Sequence, residues 1–124
     1  MARLEHAALD RLMELGGAHF VADLLDTFLG DAPGRLQVAT AAAGEGRWSE
    51  VERSVHSLAS SAAMLGALDF SRRARAIEGR AAESPGPELV GELADLSDLY
   101  EVFRELMRKE SLRLRSLPEG KRNR

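Results

Sequence analysis

The sequence predicts an all-α fold, an antiparallel up-and-down four-helix bundle with an additional short N-terminal helix. Three observations carry this. Apolar residues recur at alternating spacings of three and four, and no segment alternates at the spacing of two that a half-buried strand needs. Aromatic residues make up only 5%, so the core must be built from Leu, Ala, Val and a few Phe, which suits packed helices. The breaks between periodic segments are short, which makes successive helices antiparallel neighbours. A length of 124 residues fits one domain with a single core.

Taken in order, Leu4 to Leu15 reads as a short amphipathic helix with Leu9, Leu12 and Met13 inward, stopped by Gly16-Gly17. Ala18 to Leu29 is a second helix, apolar at Phe20, Val21, Leu24, Leu25, Phe28 and Leu29. Gly30-Asp31-Ala32-Pro33 punctuates it, since Asp31 can cap a new start and proline suits a first turn. Leu36 to Ala43 continues in a third segment, and the pattern leaves open one kinked helix or two. After Gly44-Glu45-Gly46, Trp48 to Leu65 forms the next helix, closed by Gly66. Asp69 or Ser71 can cap a helix from about Phe70 to Ala82, with Phe70, Ala74, Ile77 and Ala81 inward. Ser84-Pro85-Gly86-Pro87 is the clearest loop. Leu89, Leu93, Leu96, Tyr100, Phe103 and Met107 then mark a long last helix, which Gly91 weakens by about 1 kcal/mol relative to alanine. Residues 1–114 are expected to form the bundle and residues 115–124 a basic, flexible tail.

Composition removes several kinds of chemistry. There is no cysteine, hence no disulfide, thiolate nucleophile or cysteine-based zinc site. His6 and His19 have no ligand partners at metal spacing and read as ordinary surface residues, so no metal site is expected. No apolar run is long enough to span a bilayer and the first residues lack a signal-peptide core, so a cytoplasmic protein is expected. Residues 1–107 carry ten basic and eighteen acidic side chains, whereas residues 108–124 carry seven and two. The acidic body disfavours nucleic acid. The basic end (Arg108, Lys109, Arg113, Arg115, Lys121, Arg122 and Arg124) suits either an acidic partner or, more simply, a solvated helix terminus.

The informative stretch runs from Ser54 to Ala67. Val51, Val55, Leu58, Ala62 and Leu65 share one helix face, and His56 lies at the edge of that face among Ala59, Ser60, Ser61 and Ala63. Two accounts of the small residues remain open. They allow close helix–helix approach and nothing more, or they keep the imidazole bare for a visiting protein.

The stretch resembles the signature of histidine phosphotransfer (HPt) domains, His-x-Leu-Lys-Gly-Ser-(small)-x-x-x-Gly-(Ala or Leu). His56, Leu58, Ser61, Gly66 and Ala67 stand at the matching places, with Ala59 in place of the usual lysine and Ser60 in place of the usual glycine. The likeness extends over roughly residues 4–83: Leu9 to Gly17, Phe20 to Phe28, Asp31-Ala32-Pro33, and Ala74 to Glu78 resemble the family's flanking helices. It implies that His56 accepts and donates phosphoryl groups through Nε2, facing receiver-domain aspartates of response regulators or of a hybrid sensor histidine kinase. The receiver then brings the Mg²⁺, and no cofactor or independent kinase activity belongs to this chain, which is expected to be a monomer.

The resemblance also implies supporting roles, since Glu78 stands about where the family often has a polar residue. Glu78 either accepts the Nδ1 proton of His56 or pairs with Arg75 or another nearby arginine. Arg53, one turn before His56, either replaces the missing lysine or pairs with Glu50 or Glu52. Glu52, Ala59, Ser60 and Ala63 are the expected docking surface. The competing reading is a degenerate HPt-like module that docks a receiver or kinase without being phosphorylated, for which Ala59 and Ser60 speak.

Overall fold

A computed structural model of the chain describes residues 2–118 and consists of five helices. These are α1 (His6–Gly16), α2 (Ala18–Gly44), α3 (Trp48–Met64), α4 (Leu68–Glu83) and α5 (Glu88–Arg115). No strand occurs among the described residues. Helices α2 to α5 close a four-membered ring of contacts, α2 on α3, α3 on α4, α4 on α5 and α5 back on α2, while α1 packs mainly on α2. The core is the one the periodicity predicted: Val51, Val55, Leu58, Ala62 and Leu65 are all buried, as are Leu89, Leu93, Leu96, Tyr100, Phe103 and Met107. At its centre Phe28, Phe70, Tyr100 and Phe103 meet with ring centroids 6.1–6.4 Å apart, mostly edge to face.

The segment around Pro33 resolves the open question in favour of one helix, because α2 continues through the proline. Proline has no N–H to donate, so the carbonyl four residues earlier, that of Leu29, loses its intrahelical partner. The Tyr100 hydroxyl on α5 donates to that carbonyl at 3.3 Å. A tertiary contact thus meets the acceptor that the sequence alone leaves unmet. Tyr100→Phe is expected to cost about 1 kcal/mol, measured by urea unfolding, the usual value for one hydrogen bond. A change under a few tenths would show that the carbonyl needs no partner.

Helix boundaries differ from the periodic reading where backbone groups find partners outside the helix. Residues 2–5 precede α1 and cross the α3–α4 turn, with Glu5 N–H donating to the Gly66 carbonyl at 2.9 Å. Gly66 has φ 85°, and a Cβ there would stand 2.8 Å from the Glu5 backbone, so both the turn and the close approach require glycine. The two bonds Gly66 N–H to Ala63 O and Ala67 N–H to Ala62 O end α3 in the manner typical of a helix followed by left-handed glycine. Neither Asp69 nor Ser71 caps α4, which begins earlier, at Leu68. Asp69 pairs with Arg72 instead, and Ser71 bonds α3.

At the other end, Arg115 belongs to α5, not to a tail, and reaches Asp23 and Asp26 of α2 at 2.8 and 2.6 Å. Burial pushes the Asp26 carboxyl up, but hydrogen bonds from Arg115 and Ser111 outweigh it and hold the group below its ordinary value. His19 is not a plain surface residue: its Nε2 donates to the Leu117 carbonyl at 3.0 Å. The rest of the expected tail, residues 119–124, lies outside the described residues.

Candidate functional site

Helix α3 buries one face against α2 and α4 and turns the opposite sector to solvent. That sector carries Ser49, Arg53, His56, Ser60 and Met64, all exposed. His56 stands on its α4 side. Its side chain is 58% exposed, and Nδ1 lies 2.7 Å from Oε2 of Glu78, which is 22% exposed. A carboxylate can only accept, so Nδ1 carries the hydrogen and donates, and the neutral ring keeps its lone pair on Nε2. The register that brings Glu78 opposite His56 is set nearby. The buried hydroxyl of Ser71 on α4 donates to the Ala59 carbonyl on α3 at 2.8 Å. The sequence offers Ser71 only as a helix cap, because its partner here is a backbone carbonyl on another helix, which leaves no mark on residue type.

Of the two partners weighed for Glu78, His56 is the one observed, and Arg75 makes no ion pair with it. Arg53 shares the open sector with His56 and is exposed. Glu50 does not bond Arg53. It pairs with Arg47, whose hydrogen bond holds the Glu50 carboxyl below its ordinary value. Ser60 is exposed and Glu52 and Ala63 are half-buried at the rim, so these three expected docking residues have surface to offer. Ala59 does not. It is 0% exposed beneath α4, and the docking expectation for it is corrected: helix α4 packs directly over this position, as the Ser71 bond shows. At the basic end, Arg113 pairs with Glu110 and Arg115 with α2, which spends their charge within the fold. Lys121, Arg122 and Arg124 lie outside the described residues.

Among the described residues, no helix is long and apolar enough to cross a membrane. No curated protein matches the chain. The family model described as the Hpt domain matches residues 23–109.

This chain belongs to the Hpt domain family. It is a histidine phosphotransfer protein of two-component signalling, and the partners of this class are the kinases and response regulators of phosphorelays. The matched span of the Hpt domain contains α3 and α4 entire, with His56, Arg53 and Glu78. In fold the chain is similar to a solved structure, the crystal structure of histidine-containing phosphotransfer protein B (HptB) from Pseudomonas aeruginosa PAO1. The TM-score is 0.82 at 22% sequence identity, over 90% of this chain and 96% of that one. At this identity the likeness speaks for the helical bundle.

Proposed function

We propose that His56 is the residue that carries the phosphoryl group, taking it from and returning it to receiver-domain aspartates. The observation that carries this reading is the imidazole itself: open to solvent on an exposed helix face and oriented by Glu78 so that the lone pair sits on Nε2. In the forward step, Nε2 attacks the phosphorus of an aspartyl phosphate. The N–P bond forms, the P–O bond to the aspartate breaks, and the aspartate leaves as a carboxylate. No proton has to move. Nδ1 keeps its hydrogen, so the phosphorylated ring is cationic, and the Glu78 carboxylate beside Nδ1 stabilises that charge. Mg²⁺ is held by the receiver's own carboxylates, so this chain contributes nucleophile and positioning. Arg53, on the same open sector one turn before His56, offers the cation that Ala59 cannot.

The test is incubation with a phosphorylated receiver domain and Mg²⁺. The expected product is acid-labile, base-stable label on this protein. The buried alanine at position 59 favours the second reading, a docking module that binds a receiver without accepting phosphate. Absence of label from a panel of receivers that nonetheless bind would establish that reading instead.

Glu78 has its own signature. Glu78→Gln keeps an acceptor for Nδ1–H and loses the charge, whereas Glu78→Leu loses both. Transfer rates are expected to fall in that order, with the leucine variant about tenfold or more below wild type, the scale seen when an imidazole loses its orienting partner. Equal rates for all three proteins in a single-turnover assay would remove Glu78 from the mechanism.

A further inference from the structure

Three of the arginines that follow an acidic residue by three positions pair with it: Arg72 with Asp69, Arg104 with Glu101 and Arg113 with Glu110. Arg53 follows Glu50 by the same three, yet Glu50 bonds Arg47, and among the described residues Arg53 makes no ion pair and acts on Glu50 only through its charge at a distance. Arg35 on α2 follows Asp31 by four, a spacing that also permits pairing, and it too has none. These two arginines come from different helices and line one depression of about 260 Å³ between α2 and α3, together with Ser57. Arg35 and Ser57 also line an adjoining cavity of about 110 Å³, whose apolar wall includes Phe28, Ala32, Leu58 and Leu65. Met64, 49% exposed, stands at its rim. The charges facing this groove are Arg35 and Arg53, the opposing Asp31, and Glu50, which Arg47 already compensates. The free balance is positive, on a body that is otherwise acidic.

We infer that Arg35, together with Arg53, forms the partner-selecting edge of the His56 face. The occupant is the rim of a receiver domain, with carboxylates set against the two guanidiniums and an apolar side chain seated beside Met64. The chemistry of the partner motivates the match. A site that holds Mg²⁺ beside a phosphorylated aspartate needs further carboxylates, so its surroundings are negative. A positive edge steers such a surface in and fixes its orientation over Nε2. This assignment rests on His56 being the phosphoryl carrier and adds which residues on α2 choose the partner.

The experiment measures transfer from a phosphorylated receiver to this protein as a function of receiver concentration, for wild type, Arg35→Glu and Arg35→Lys. Arg35→Glu is expected to raise the concentration for half-maximal transfer about tenfold, with a smaller change in maximal rate. Arg35→Lys is expected to stay within about threefold of wild type, because the charge is kept. The wild-type rate should fall with added salt more steeply than that of Arg35→Glu. Unchanged half-saturation in Arg35→Glu, or equal salt slopes, would overturn the assignment while leaving His56 in place. The carrier reading is read separately, from labelling of the wild-type protein by phosphoramidate, a small donor that needs no docking surface. Failure of that labelling together with failure of receiver transfer would overturn both.

Discussion

His56→Gln is expected to reduce phosphoryl labelling to background with every donor, while the protein stays folded. The two halves of this expectation have different physical grounds. A primary amide has no lone pair of useful nucleophilicity at neutral pH, and no other histidine shares the open sector of α3, so nothing replaces Nε2. The ring is 58% exposed and fills no core space, and a glutamine amide can still donate to Glu78. Stability is therefore expected to stay within about 0.5 kcal/mol of wild type in chemical unfolding. The informative measurement is labelling on a sample whose helical circular dichroism matches wild type. Label that persists at full stoichiometry would move the phosphoryl site elsewhere and remove the central residue of the proposed mechanism.

The largest stability effect is expected from Phe70→Ala. Phe70 is 0% exposed and touches Phe28, Tyr100 and Phe103, so it joins α4 to both α2 and α5. Deleting a ring from such a position removes transfer free energy and leaves a cavity that three other rings cannot easily refill, at a cost of about 3–5 kcal/mol. Against a total of about 5–15 kcal/mol for an ordinary domain this is a large share, and the thermal midpoint should drop by roughly 10–20 °C. The site should suffer with the fold. Phe70 adjoins Ser71, whose bond to Ala59 sets the register that puts Glu78 against His56. Leu15→Ala, at a side chain 71% exposed, serves as the contrast and should change stability by less than about 0.5 kcal/mol. A Phe70→Ala protein as stable as the Leu15→Ala one would mean that the aromatic cluster is not the keystone of the bundle.

What could be read in advance followed from local rules. The three-and-four spacing named the core residues of α3 and α5 one by one, because a helix face is a property of sequence separation alone. Glycine at position 66 could be assigned to a helix stop because its left-handed conformation is a property of the single residue. The edge position of His56 and the candidacy of Glu78 were legible for similar reasons, helped by the likeness of the surrounding stretch to the HPt signature. Open and mistaken readings fell where one segment answers another far along the chain. The pattern around Pro33 left one kinked helix or two open, and Tyr100, 67 positions later, supplies the donor for the carbonyl that the proline leaves unmet in the continuous α2. Ala59 reads as a small surface residue, and only the approach of α4 buries it. His19 reads as an ordinary surface residue and Arg115 as part of a tail, yet His19 of α2 bonds the Leu117 carbonyl just past α5, and Arg115 of α5 bonds Asp23 and Asp26 of α2.

The sequence by itself determined which faces are apolar, where helices can stop, and that a single edge histidine stands among small side chains, since each of these is written in residue type and spacing. Only the tertiary structure decided that Glu78 partners His56 and not an arginine, that Glu50 bonds Arg47 and not Arg53, and that Arg35 joins Arg53 from another helix. Those choices depend on how two helices sit side by side, and competing ion pairs of similar energy are separated only by the geometry that packing imposes.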